Sequence, residues 1–580
     1  VARIERFHET GFVVTTVRAM KIVLCWHMHQ PEYRDLQSGE FQLPWTYLHA
    51  VKDYSDMAAH LELQPQARAV VNFTPLLLDQ IEDYRAQIDA YFNSGAPPRD
   101  ALLRALVASP APVAPPQPLS NAQLAPFLRA NRRHMIERFP AYAHLYAIAR
   151  RLRRFPDDII YATPQLLTDL AVWYHLSWLG EIARRSDPRI QRLQARQRNY
   201  SLEERNELLQ ILLELLGSIV PRYRALAQRG QIELSLSPYT HPMLPLLLDS
   251  ECARAAEPAL SPPRAGRYPQ GIERSRWQMQ KAIDSFERHF GFRPVGCWPS
   301  EGGLSMATLQ LLAEFGFSWT ASGEMVLRHG LDQQAGAEAA ARATRAKYRV
   351  FRFGDVAIDT FFRDDGISDL IGLTYAGWRA EDAVAHLVQH LERIAAEVPS
   401  ARDGAVVIVL DGENAWEHFP DNGYHFLQCL YATLGDHPQL ELTTFADVVK
   451  EQGLERIQLP QLVAGSWIGG TFSTWLGSPE KNRAWDLLIE AKRCYDERIG
   501  GLSARQQEQA TAQLAVCEGS DWFWWPGSDH PAAAIDDFDR LFRLHLAHLY
   551  RDLGCEAPAD LSRPIAAGAM ASEDETARSG

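Results

Sequence analysis

The sequence predicts an α/β fold of repeated strand–helix units whose chemistry sits at the C-terminal ends of the strands. Three features point there: short apolar runs that end in polar or turn residues, helix-period stretches between them, and ionisable side chains gathered just past the runs. The runs are Ile22 to Trp26, Ala69 to Phe73, Ile232 to Leu236, Val295 to Trp298, Phe317 to Ala321, Val356 to Phe361 and Ala405 to Leu410. In closed α/β barrels the residues after each strand face the site. Here those are His27 and His29, Asn72 and Thr74, Ser237 and His241, Glu301, Glu324, Arg363 and Asp364, and Asp411.

The βα rhythm breaks between about residues 81 and 230, where a Pro-rich turn (PAPVAPPQP) and long helical patterns predict a helical insertion on one barrel loop. YRVFRF and VAIDTFF flank Gly354-Asp355, a turn dipeptide that predicts a β-hairpin. Beyond Lys450 the pattern turns helical, which predicts a C-terminal helical domain over 451–555 after a catalytic unit over 20–450. Residues 1–19 read as an N-terminal extension, and 556–580, rich in Ala, Pro, Ser and acidic residues, as a mobile tail.

A net charge of -13 disfavours a nucleic-acid partner, whose phosphates are bound by Lys and Arg, and suits a neutral substrate. One helical region runs the other way, with Arg132, Arg133, Arg151, Arg153, Arg154, Arg184, Arg185, Arg189, Arg192 and Arg196. Acidic residues are interspersed there, so it reads as a solvated helix surface. Seven scattered cysteines without CxxC spacing indicate neither a disulfide framework nor a thiolate zinc site. With no long apolar run and no signal-peptide order at the N-terminus, no membrane partner is expected, and the cytoplasm is the expected location.

Four segments carry candidate chemistry. In WHMHQPEYR, His27 and His29 lie two apart after a strand and so share a face; a metal role and a hydrogen-bonding role are both open. SPYTHP holds His241 at the tip of a loop between two prolines. In GCWPSEGGLS, Glu301 follows a strand beside Trp298, which could stack on a sugar face, and Gly302 and Gly303, which permit close approach of a ligand. AVVIVLDGENAWEHF ends a buried strand on Asp411 and Glu413, where burial and like charge raise a pKa as a general acid requires; an Asp capping a helix is the plain alternative.

Taken together, HMHQP, SPYTHP, WPSEGG, LDGENAWEHF and EGSDWFWWPGSDH closely resemble, in order, the five sequence regions of glycoside hydrolase family 57, over about Lys21 to Gly554. The opening HQPEYRDLQSGEFQLPWTYLHAVKDYSDM looks like the α-amylase and amylopullulanase branch. The resemblance implies an incomplete (β/α)7 barrel followed by a helical domain. It implies retention of the α configuration, with Glu301 as nucleophile and Asp411 as acid/base, and no cofactor or metal. His27, His29 and His241 would bind substrate near the cleavage point, and Glu413, Trp416, Asp521 and Trp522 match further binding or supporting positions. In GSWIGGTFSTWLG, Trp467 is the preferred subsite aromatic, whereas Trp475 and Trp485 read as core. Asp364 and Asp365 are rival carboxylates, with Arg363 and Asp364 assigned to positioning because they lie outside the DxE element.

The expected partner is therefore an α-glucan, and the expected reaction a double displacement with the two carboxyl groups about 5–5.5 Å apart. A 4-α-glucanotransferase or branching enzyme would use the same intermediate with a sugar acceptor. A metal-dependent carbohydrate deacetylase built on His27, His29 and an aspartate is the rival from another reaction class.

Overall fold

The computed structural model describes residues 19–108, 120–335, 346–398, 403–527 and 530–566. Ten strands occur among them: β1 (Met20–Met28), β2 (Ala69–Phe73), β3 (Ile232–Leu236), β4 (Gly296–Cys297), β5 (Trp319–Gly323), β6 (Val350–Phe353), β7 (Asp359–Arg363), β8 (Val406–Asp411), β9 (Leu440–Thr443) and β10 (Arg456–Leu459). Seven close a ring in the order β1-β2-β3-β4-β5-β7-β8, and every pairing around it is parallel. The seven apolar runs are these seven strands. Because parallel strands are covered on both faces, β1 is buried along all nine residues, which is why its sequence reads as a continuous run without alternation.

Two seams are thin. β3 meets β4 through the single pair Leu236↔Cys297, and β7 meets β8 through Arg363↔Val407. β4 is only two residues long, so the chain leaves the ring early and bends into the segment that carries Glu301.

The hairpin across Gly354-Asp355 forms, β6 lying antiparallel to β7 with Phe351 opposite Thr360. β7 starts at Asp359, later than the apolar run suggests, because the buried Asp359 carboxylate is clamped by Arg352 at 2.6 Å and by Arg456 at 2.9 Å. Arg456 belongs to β10, which extends the sheet parallel to β6. β9 pairs with β1. Neither strand was expected, and β10 lies beyond Lys450 in the region read as helical; four residues are too few to show a period.

Between β2 and β3 the described elements are all helical. Two long helices, Pro75–Ser94 and Leu202–Gln228, pack on each other, the second opened by a capping box of Ser201 and Glu204. After β10 come the helices Pro479–Arg498, Ala504–Cys517, Asp521–Trp524 and Ala532–Asp552. The expected extension lies outside the described residues except for residue 19, as do the Pro-rich turn and, of the expected tail 556–580, the part from residue 567 onward; residues 556–566 are packed, with a short helix Ala559–Ser562 and Leu561 and Ile565 buried. Among the described residues no helix is long and apolar enough to cross a membrane.

Candidate active site

Strand register sets the floor of the site. His27 on β1 lies opposite Asp411 on β8 and Asn72 on β2, and Asn72 lies opposite Ser235 on β3. The side chains connect along that row: His27 Nδ1 is 2.7 Å from Asn72 Oδ1, and Asn72 Nδ2 donates to Ser235 Oγ at 3.0 Å. Ser237 Oγ–H has two acceptors in reach, Asn72 Oδ1 at 2.9 Å and the Trp298 carbonyl at 2.8 Å. Burial, with His29 adding to it, depresses the His27 pKa to about 3, so this imidazole is neutral at pH 7.

His29 and His241 stack on this floor with ring centroids 3.8 Å apart, and His241 is 5.0 Å from His27. His241 takes a left-handed backbone at φ 58°. Its N–H donates to the Pro238 carbonyl and its carbonyl accepts from the Ser520 N–H. Burial, then its histidine neighbours, hold its pKa well below the ordinary value.

Glu301 is also left-handed, at φ 57° and ψ 25°. For a residue with a Cβ this region costs about 1–2 kcal/mol, a strain that tends to collect at functional sites. Each carboxylate oxygen has its own donor: Ser520 Oγ reaches Oε1 at 3.1 Å and Trp467 Nε1 reaches Oε2 at 3.2 Å. Ser520 Oγ is also 3.0 Å from His241 Nδ1. Burial, then the charges of Asp521 and Asp411, push the Glu301 pKa up to about 8, against the two donors. The Trp467 N–H donates to the Glu301 carbonyl and a Leu304–Gly465 bridge joins the same two segments.

Asp411 accepts from Asn414 Nδ2 at 2.9 Å, and burial raises its pKa. Glu413 is buried; its Oε1 accepts from the His29 N–H and from Gln30 Nε2, both at 3.3 Å. Burial, then Asp411, raises the Glu413 pKa well above the ordinary range. Asp521 lies 3.0 Å from His29 Nε2. Its segment is anchored by Glu518, which is fully buried and accepts from Arg274, Tyr268 and Gln278 at 2.6–2.7 Å.

These groups open onto one cleft of about 1820 Å³ that His27, His29, His241, Glu301, Asp411, Glu413, Trp467 and Asp521 all line. Trp298, Trp416 and Trp522 do not line it, contrary to their assignment as substrate contacts. Trp298 has no exposed surface and packs edge-on against Trp467 at 5.3 Å. Trp416 donates to the Gly412 carbonyl and packs against Trp26; Trp522 donates to the Val516 carbonyl and stacks on Phe542. In DWFWW it is Trp524 and Trp525 that reach the cleft, because Trp522 turns inward on the short helix. The close approach at Gly302 is by protein: a Cβ there would lie 3.1 Å from the Trp298 ring and 3.1 Å from the Trp467 Cβ.

Neither Asp364 nor Asp365 lines the cleft. Asp364 caps the helix Asp365–Asp369 and accepts from Tyr348 at 2.8 Å; burial works against it, but Lys347 at 2.9 Å and the cap bonds hold its pKa low. Burial raises Asp365 to about 7 against the pull of Arg363. Arg363 pairs with Asp365 at 3.1 Å and lies over the Trp467 ring at 5.1 Å. His29, His241 and Asp521 offer ligand atoms within 4.8 Å of one another and could hold a cation. Asn72, a strand-end residue in the sequence pattern, joins the site through His27, while Asn414 and Ser520 enter it beside Asp411 and Asp521 without a signal of their own beyond their place in those two motifs.

A family model described as glycosyl hydrolase family 57 matches residues 23–461. Among solved structures, the fold is similar to a branching enzyme of that family from Thermococcus kodakaraensis (16% identity, 92% of this chain and 90% of that one covered, TM-score 0.57). It is similar to another from Pyrococcus horikoshii (15%, 95% and 98%, 0.56) and to an α-amylase from Thermotoga maritima (14%, 97% and 96%, 0.53). A family match over three quarters of the length, on a closed seven-stranded ring with the motif residues at its strand ends, identifies this chain as a member of glycosyl hydrolase family 57.

Proposed function

We propose that this enzyme cleaves α-glucosidic bonds of α-glucans by double displacement, with Glu301 as nucleophile and Asp411 as general acid/base. The observation that carries the reading is that two carboxylates from different strand ends line one cleft, one of them held at both oxygens by separate donors. A Glu301 oxygen bonds to the anomeric carbon as the glycosidic bond breaks, and Asp411 gives its proton to the departing oxygen. Water then loses a proton to Asp411 and attacks the same carbon, releasing Glu301. Crowded buried carboxyls retain a proton. Two donors on Glu301 against one on Asp411 favour leaving it on Asp411, where the first step needs it. Neutral His27 and His241 suit hydrogen bonds to sugar hydroxyls.

Branching enzymes and an α-amylase stand among the structural neighbours, and transfer differs from hydrolysis only in the acceptor that resolves the intermediate. The substrate that this reading favours is a storage glucan of the glycogen or starch type. The test is product analysis on maltoheptaose, amylose and pullulan, with the anomer followed by NMR before mutarotation. New reducing ends with α configuration are expected; redistribution of chain lengths without them would assign transfer, and β product would exclude the double displacement.

A further inference from the structure

The arginine-rich stretch divides into two halves with different partners. In the second half every arginine of the sequence pattern is ion-paired: Arg184 and Arg185 with Glu181, Arg189 with Asp187 and Glu214, Arg192 with Glu207, Arg196 with Glu204. The first half differs. Residues 129–154 hold eight arginines and one acidic residue in a chain of net charge -13. Arg129, Arg132 and Arg138 are ion-paired and Arg151 lies 3.8 Å from Asp158, whereas Arg150, Arg153 and Arg154 are exposed and have no ion pair among the described residues.

The helix Pro140–Arg154 is also oriented. Ala143, Tyr146, Ala147, Arg150, Arg151 and Arg154, at the spacing of one helical face, all line the cleft that holds Glu301 and Asp411. Arg129 ties this insertion to Asp537 of the C-terminal helix at 2.7 Å, and Trp524 and Trp525 line the same cleft as the charged face. Arg150 lies over Tyr146 at 5.8 Å, and Arg154 lies over Phe155 at 5.6 Å. Aromatic rings of this kind hold guanidinium groups in place while leaving their donors free.

We propose that this helix face is a phosphate-binding end of the glucan cleft, which takes a phosphate monoester borne by the sugar. A carboxylate is satisfied by one guanidinium fork, whereas a phosphate monoester presents three acceptor oxygens, a match for several unpaired arginines on one helix end. An uncharged glucan would draw nothing from those charges, which water already solvates, whereas a phosphate would gain from them. The proposal rests on the α-glucan reading of the site and adds to it a charged substituent at a distance from the scissile bond.

The experiment is isothermal titration of the intact protein with maltoheptaose, a maltodextrin carrying 6-phosphate groups, and glucose 6-phosphate. It is done for the wild type, Arg150→Gln/Arg154→Gln and Arg150→Lys/Arg154→Lys. The phosphorylated dextrin should bind roughly tenfold more tightly than the neutral one. That ratio should fall with added salt, drop to about one in the Gln variant, and survive largely in the Lys variant, which also reports on folding. Weak binding of glucose 6-phosphate would assign the chain-borne phosphate; binding as tight as that of the phosphodextrin would assign a free sugar phosphate to the same arginines. Equal affinity of wild type for both dextrins, or a preference that persists in the Gln variant, overturns the proposal. Failure of maltoheptaose to bind while glucose 6-phosphate still does would remove the glucan reading and leave the phosphate site.

Discussion

The two ends of the cleft are built by different means. At the barrel end, His27 and Asp411 are set by strand register and Glu301 by two side-chain donors, and two backbones are held left-handed, at His241 and Glu301. At the insertion end, the lining side chains come from one face of the helix Pro140–Arg154, and its cleft-lining arginines are exposed. Reaction chemistry tolerates little displacement, so it is placed on elements whose neighbours over-determine them, while a wall that holds distant parts of a substrate needs charge and shape more than exact position.

If the barrel end is the reacting end, Glu301→Gln should have the largest effect, lowering turnover of maltoheptaose by at least about 10³-fold in initial-rate assays. The same substitution has a second readout. Burial pushes Glu301 up to about 8, with the Asp411 charge adding to it, and burial raises Asp411 too, so the pair together keeps a proton in the folded state that the unfolded chain releases from about pH 4.5 upward, and wild-type stability is lost as pH rises from there to about 8. Neutral Gln escapes this. Its melting temperature should gain on the wild type from pH 5 to pH 8 and hold that gain above, and parallel melting curves would refute the buried carboxyl.

Rigidity at the barrel end also depends on the buried Arg274–Glu518 pair under the Ser520 segment. Arg274→Ala should destabilise by about 3–5 kcal/mol in urea, because Glu518 is left charged without its partner. Breaking the exposed Arg132–Glu137 pair of the insertion should change stability by under about 1 kcal/mol. Similar losses at both positions would erase the distinction between the two ends.

Ser520→Ala removes one donor from Glu301, so the acidic limb of the pH profile of kcat/KM should move up by about one unit, with Ser520→Thr restoring it. A uniform loss at every pH would mean that Ser520 only supports the fold. Least of all should chelation matter: although His29, His241 and Asp521 could hold a cation, both steps use carboxylates, and EDTA should leave the rate within about twofold. Complete loss restored by zinc would favour the deacetylase reading.

What could be read in advance follows the same division. The seven ring strands were legible because burial on both faces leaves a continuous apolar run, and the residues after them were legible because parallel strands share one C-terminal rim. The inward turn of Trp298, Trp416 and Trp522 was not, since a tryptophan beside a site residue has the same sequence signature whether it faces sugar or core. β10, which pairs with β6, escaped because four residues are too few to show a period. Ser520 was hidden because its role comes from a meeting with Glu301 219 positions away, which no local period encodes. The orientation of the arginine face depended on packing against the helix Pro164–Ser177 and was likewise invisible.

The double displacement is tested most directly by trapping its intermediate. In Asp411→Asn, α-maltosyl fluoride needs no proton to lose fluoride, while the water step lacks its base, so a glycosyl-enzyme should accumulate. Mass spectrometry of the digested protein should find one maltosyl group on the peptide containing Glu301. Release of β-maltose with no adduct, or an adduct on the peptide containing Asp364 and Asp365, would contradict the mechanism.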